Sequence, residues 1–197
     1  KWNHRNRICS DLRNTMASLL LGGGRDWRKR VYSQNTGPAW TGDLIVFDMN
    51  PEAKCFYATP GSLVVGDLEQ RPLPFNSNSF DEMGAYDVLE HVGRQGDWKG
   101  WFAEMAEYHR ILKPGGTFGV SVPIGEDALA DPGHTRFFQK NWFGFCSRRF
   151  YEVQTESRTM ATDYRWYLNK YHPTLNFDIV DINESSGHHL AVIARKA

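Results

Sequence analysis

The stretch from Gly66 to Pro123 limits what this chain can fold into more than any other. It reads as a strand around Met83 to Tyr86, then an amphipathic helix from about Trp98 to Leu112. A Lys113-Pro114-Gly115-Gly116 break follows, and then a second strand from Thr117 to Val122, closed by Pro123. Strand, helix, turn and strand in that order form a βαβ crossover, whose two strands lie parallel in one sheet. Open parallel sheets bind ligands beyond the carboxyl ends of their strands. Asp87-Val88-Leu89-Glu90-His91 leaves the first of those ends, so chemistry is expected there. Trp101, Met105, Tyr108 and Leu112, widened by Phe102 and Ile111, recur at helical spacing and mark a core face.

The remaining elements fall in place around this unit. Met16 to Leu21, Leu44 to Phe47 and Leu63 to Val65 are apolar runs of strand length. Residues 8 to 17 suggest a short helix with Ser10 as N-cap, and RDWRKRVY (25–32) another. Prolines and an Asn/Ser cluster make residues 70 to 79 a loop. A helix is expected from about Gln139 and another over YRWYLNKY (164–171). Phe177 to Ile182 and His189 to Ala194 read as two strands closing an antiparallel edge. The whole is one domain, 1–197, with a helical extension over 1–17 and a substrate-side region over 124–176.

Composition excludes several classes. With 41% hydrophobic residues and a formal net charge of zero, the chain is an ordinary globular protein. No apolar run approaches the roughly 20 residues that span a bilayer, and no signal-peptide pattern is present, so no membrane partner is expected. Cys9, Cys55 and Cys146 match neither a disulfide framework nor a zinc spacing, which points to a reducing, cytoplasmic setting. Residues 1 to 30 carry eight Lys or Arg against Asp11 and Asp26, which reads as a solvated segment or as a surface for an anion. The numbering starts at Lys1 rather than Met, so residues before it are expected.

Three strand ends stand in order: Gly22-Gly23-Gly24, Asp48 and Asp67. A glycine turn lets backbone approach a ligand, and an acid ending the next strand accepts ribose hydroxyls. Asp48 lies 26 residues beyond Gly22, farther than the roughly 20 of a nicotinamide site, and Trp27 breaks the G-x-G-x-x-G fingerprint.

The whole series resembles the class I S-adenosylmethionine-dependent methyltransferases over about residues 18 to 150. The matching residues are Leu19 to Gly24, Phe47-Asp48, Gly66 to Glu69, and Leu73-Pro74-Phe75. Ser79-Phe80-Asp81, Val88 to His91 and Ile111 to Gly116 continue it, and DPGHTRFF (131–138) also has counterparts in that family. The resemblance implies a Rossmann-like three-layer α/β sandwich with a mostly parallel seven-stranded sheet and an antiparallel last strand. It implies S-adenosylmethionine as cofactor, with the backbone of Gly22, Gly23 and Gly24 near its methionine part. Asp48 would take the ribose hydroxyls and Met49 would lie on the adenine. Asp67 and the Leu68 amide would read the adenine edge. Carbonyls near Ala85 and Tyr86 would hold the ammonium, and Asp87 would face the methyl group. The chain departs from the family pattern at Leu20, where an acid is common, and at Asp26, where a third glycine is common. Arg25 and Arg28 then become candidates to clamp the cofactor's carboxylate, or to line a solvated helix face.

Methyl transfer needs in-line positioning and removal of the acceptor's proton. Asp87, His91 and His134 are the candidate bases. Each also has a structural reading: Asp87 as a turn cap, His91 as a hydrogen-bonding group, His134 as a clamp on the loop after Pro132. Glu90 reads as a local stabiliser. No metal is expected, because His188 and His189 point to opposite faces of a strand. Glu126, Asp127 and Asp131 read as loop solvation or pocket lining. Phe137, Phe138, Trp142, Phe143 and Phe145 are mainly core, and one or two of them, or Tyr164, Trp166 and Tyr167, are candidates to wall an acceptor site. The expected acceptor is a small molecule or a sugar-containing metabolite. Nucleic acid is not expected, since no Asn-Pro-Pro-Tyr motif and no cysteine follow the fourth strand. A catalytically silent binding module is the alternative.

Overall fold

The computed structural model describes residues 16–32, 35–36, 39–159, 162–185 and 188–197. Its strands are β1 (Ala17–Leu21), β2 (Arg30–Tyr32), β3 (Asn35–Thr36), β4 (Asp43–Asp48), β5 (Ser62–Val65), β6 (Phe80–Tyr86), β7 (Leu112–Pro123), β8 (Phe177–Ser185) and β9 (His189–Lys196). Its α-helices are α1 (Trp98–Ile111), α2 (Asp127–Ala130), α3 (Arg148–Ser157) and α4 (Arg165–Tyr171). Seven strands form one sheet in the order β5-β4-β1-β6-β7-β9-β8. β5, β4, β1, β6 and β7 are parallel, and β9 runs antiparallel between β7 and β8. This is the expected α/β architecture, and the proposed 8–17 helix falls mostly outside the described residues.

The two faces of the sheet are covered unequally. Successive side chains of a strand alternate between faces. Leu19, Leu21, Ile45, Phe47, Met83, Ala85, Phe118 and Val120 point to one face and join α1 in a large apolar core. Asp97 starts α1 by accepting a hydrogen bond from Gly100 N at 2.9 Å, and the predicted stripe of Trp101, Phe102, Met105, Tyr108 and Ile111 is buried. The Leu73-Pro74-Phe75 segment is lashed to the same helix. Leu73 N donates to Glu107 Oε1 (2.6 Å) and Arg110 donates to the Phe75 carbonyl (2.9 Å).

On the other face Leu20, Leu44, Val46 and Tyr86 meet Trp27 among the described residues, with Trp40, Cys55 and Leu63 partly buried against them. No helix follows β1, β4 or β5 among the described residues. The expected helix over RDWRKRVY is absent, and β2 stands in its place. Local competition explains this. The Trp27 carbonyl, which a helix would offer to residue 31, accepts the Trp40 indole N–H at 2.7 Å. Asp26 Oδ1 takes Arg28 N at 3.0 Å, and Asp26 N closes a turn onto the Gly23 carbonyl. Buried Glu82 on β6 then ties the strap after β1 (the segment between β1 and β4) to the sheet, accepting from Lys29 Nζ, Thr41 N and Ser18 Oγ.

The carboxyl third begins as a 3-10 turn over Lys140–Cys146 rather than an α-helix, and α3 follows it. No helix of the described residues is long and apolar enough to cross a membrane.

Candidate active site

Parallel register brings four strand ends into one row. Leu21 lies beside Phe47 on β4 and Ala85 on β6, and Asp48 lies beside Val65 on β5. The chain order reverses between β1 and β6, so the crevice opens there. Gly22, at φ +60°, donates its N–H to the Phe47 carbonyl at 2.8 Å. A Cβ on Gly22 would stand 2.1 Å from Val88, which fixes how closely the loops after β1 and β6 approach. A Cβ on Gly24 would meet nothing within 4 Å, so the turn faces open space.

Asp48 is the hub of the β4 side. Its Oδ2 accepts Gly24 N at 2.7 Å and its Oδ1 accepts Asn50 N at 2.8 Å. Each carboxylate oxygen keeps a second lone pair for a ligand hydroxyl. Met49 beside it is 74% exposed, an apolar side chain free to cover a ring. Asp67 accepts Glu69 N at 2.8 Å and stays half-buried. Leu68 packs its side chain into the core.

The β6 side holds a cation already. Arg30 donates one guanidinium N–H to the Tyr86 carbonyl (2.9 Å) and another to Asp87 Oδ2 (3.0 Å). Asp87 is a non-glycine residue at φ +54°, a backbone state that surrounding contacts must hold. Ser121 supplies them: its carbonyl accepts Asp87 N at 2.9 Å and its hydroxyl donates to Asp87 Oδ1 at 3.1 Å. His189 Nε2 stands 3.6 Å from the same oxygen. Arg28, by contrast, pairs with Asp26 at 2.8 Å and stacks on Tyr57, and Arg25 lies over the Phe56 ring. Arg30, not Arg25 or Arg28, reaches the crevice. Neither Arg30 nor His189 carries a motif that marks it in the sequence; only the fold brings them to Asp87.

The residues present fit the expected cofactor. The turn at Gly24, buried Asp48 and exposed Met49 suit a nucleoside. Tyr86 O and Asp87 form an acceptor set that holds the Arg30 guanidinium, and such a set suits an ammonium group.

His91 and His134 lie 43 positions apart in the chain yet meet, with ring centroids 4.7 Å apart. Each is fixed through Nδ1, His91 to the Gly133 carbonyl (3.1 Å) and His134 to the Ala128 carbonyl (2.8 Å). Glu90 joins them: its Oε1 is 3.9 Å from His134 Nε2, and the side chain is 1% exposed. Burial, with the charge of nearby Asp87 adding to it, pushes the Glu90 carboxyl up to about 8. The expectation of a merely local role for Glu90 misses this placement. His188, in the turn before β9, reaches Asp127 at 3.0 Å, and His189, the first residue of β9, stands 3.6 Å from Asp87. Asp131 caps its own turn through Gly133 N at 2.7 Å.

Of the aromatic candidates, Trp142, Phe145 and Tyr164 line a cavity of about 230 Å³ with Trp98, Trp101 and Phe102. Gln95 closes one end, and it also bonds Thr135 and Phe137 on the His134 loop. Phe138, Phe143 and Tyr167 are buried in the core, and Trp166 is exposed.

Residues 28–120 match the family model described as "Methyltransferase domain". The match begins after the glycine turn, the part where the chain departs from the family pattern. No curated protein sequence matches this chain. Among solved structures, an S-adenosylmethionine-dependent methyltransferase from Mesorhizobium loti shares 17% identity, covering 92% of this chain and 91% of its own, with a TM-score of 0.53. One from Archaeoglobus fulgidus shares 14% identity over 94% and 88%, also at 0.53. A methyltransferase from Haloferax volcanii, solved with its Trm112 activator, shares 15% over 92% and 82%, again at 0.53. At these identities the likeness is one of fold.

Proposed function

We propose, of a chain that is a class I S-adenosylmethionine-dependent methyltransferase by domain and fold, that it methylates a small-molecule or sugar-containing acceptor by in-line displacement. The cofactor supplies a methyl group already activated on a sulfonium, so the protein's work is positioning and proton removal. Asp48 takes the ribose hydroxyls, Met49 covers the adenine, and Asp67 with the Leu68 amide reads its edge. Gly22, Gly23 and Gly24 let the backbone approach, and the end of β6 at Ala85 and Tyr86 receives the ammonium. Asp87, His91 and His134 face the acceptor. Residues 124–176 cover that side, which the aromatic cavity beside the His134 loop supports. A single domain over 1–197 and a cytoplasmic setting belong to the same reading, in keeping with Cys55 and Cys146 as free thiols.

The observation that carries this reading is the cation bound by Tyr86 O and Asp87 at the switch point of the sheet. A second reading, a silent binding module, is favoured by the same Arg30, because it fills the subsite the cofactor needs. Methyl-labelled cofactor offered with a panel of polyhydroxylated small molecules separates the two. Labelled product that Asp48→Ala reduces at limiting cofactor supports transfer. Cofactor that binds while every acceptor stays unlabelled supports the silent module.

A further inference from the structure

We propose that Glu90, His91 and His134 form a binding site for one divalent transition-metal ion. The donor atoms of the three side chains all lie within 4.8 Å of one another. Ligands bound to a common ion at about 2.0–2.2 Å stand roughly 3–4 Å apart. Donor atoms within 4.8 Å of one another stand close to that spacing.

The orientation of the two imidazoles is what a metal requires. Each ring gives its Nδ1–H to a backbone carbonyl, Gly133 for His91 and Ala128 for His134. That bond fixes the tautomer and leaves Nε2 as a bare lone pair, as second partners do for ligating histidines. Glu90 supplies an independent sign. Its Oε2 is buried without a hydrogen-bond partner among the described residues, a costly state for a polar oxygen that a bound cation would relieve. Its other oxygen, Oε1, stands 3.9 Å from His134 Nε2, too far for a hydrogen bond.

The framework holding the three ligands is rigid. Thr135 N and Arg136 N both donate to the Glu90 carbonyl, at 2.8 and 3.1 Å, and Gln95 N donates to the Thr135 carbonyl at 2.9 Å. The loops after β6 and β7 are thereby locked together with the donors already converged. Two imidazoles and one carboxylate suit Zn²⁺, Co²⁺ or Fe²⁺, and offer too few oxygens for Ca²⁺ or Mg²⁺. Three protein ligands leave at least one position open. If the transfer reaction proposed above holds, that position takes an acceptor hydroxyl and lowers its pKa, which narrows the acceptor to an alcohol or diol. His91 and His134 then serve as ligands rather than as bases.

The test titrates tag-free, chelator-stripped full chain with Co²⁺ and Zn²⁺ in the absence of any methyl donor. The expected result is one equivalent bound, a cobalt d–d absorption band, and a Zn²⁺-dependent rise in melting temperature. His91→Ala, at an exposed position that folding tolerates, should weaken binding at least about 100-fold. Glu90→Gln is the second variant, compared at equal circular-dichroism signal. Binding weaker than about 1 mM, or binding that His91→Ala leaves unchanged, overturns the site. A parallel titration with S-adenosylmethionine keeps the two ideas apart. Metal binding without cofactor binding upholds the site and removes its part in methyl transfer. Cofactor binding without metal binding overturns the site and leaves the transfer reading standing.

Discussion

The two banks of the crevice are built by different means. On the β4–β5 bank, carboxylates at strand ends fold the chain locally: Asp48 holds Asn50 N, and Asp67 holds Glu69 N, each two residues on. On the β6–β7 bank, loops distant in sequence are clasped together, as in Thr135 N donating to the Glu90 carbonyl. Beneath that clasp Arg136 is 1% exposed, with Nη1 2.8 Å from Glu104 Oε2 and its guanidinium over Trp101. Arg71 and Tyr108 also reach Glu104. The contrast teaches that acids at strand ends are placed by parallel register and short turns, whereas bringing Glu90, His91 and His134 together takes a buried polar lock.

The strongest attempt to break the contrast removes the lock. Arg136→Met should cost about 3–5 kcal/mol of stability in urea titration, since it leaves a buried carboxylate short of a partner. The folded fraction should bind cofactor within about threefold of the parent by titration calorimetry. An equal loss on both banks would show that they are one unit.

The helix behind the β6–β7 bank also carries a pH liability. Burial, helped by Lys196, lowers His109 to about 4, and its ring packs edge-on against Phe177. The unfolded histidine titrates near 6.5. Between those values the unfolded chain binds the extra proton, so this contribution is complete above about pH 6.5 and is lost as pH falls toward 4. It amounts to at most about 3 kcal/mol across the window, at about 1.4 kcal/mol per pH unit. His109→Gln should flatten that part of the stability profile measured by denaturant titration between pH 4 and 7.

The cofactor bank is tested by Asp48→Ala. Loss of its bonds to Gly24 and the ribose should weaken S-adenosylmethionine by about 1.5–3 kcal/mol, roughly 10- to 150-fold. Unchanged affinity would mean that the nucleoside lies elsewhere. The smallest effect is the most telling for the meeting of the banks. Arg30→Ala should tighten cofactor binding about tenfold, or about 1.4 kcal/mol, because the ammonium no longer has to displace a guanidinium. Weaker binding would mean that Arg30 helps hold the cofactor.

How much of this was legible in the sequence follows the same division. Asp48 and the Trp98–Leu112 helix could be read because short-range rules govern them: a strand-ending acid, a 3.6-residue stripe. The strand order followed from the crossover unit together with the family resemblance. The stretch 25–32 reads as a helix by propensity, which does not reveal that Trp40 takes the Trp27 carbonyl and Asp26 Oδ1 takes the Arg28 N–H. Glu90 looked like a stabiliser because its meaning depends on His134, forty-four positions away. Arg30 was missed for the same reason: only the β2 geometry carries it to Asp87. Pairing of Nδ1 groups with carbonyls has no sequence signal of its own.

The central claim is that the crevice between β1 and β6 binds S-adenosylmethionine through Asp48 on one bank and Tyr86–Asp87 on the other. Calorimetric titration of the unmodified chain with S-adenosylmethionine, with NAD as control, tests it most directly. The account predicts saturable one-site binding of the methyl donor and no heat from NAD beyond dilution. Silence with the methyl donor, or equal binding of both compounds, would contradict it.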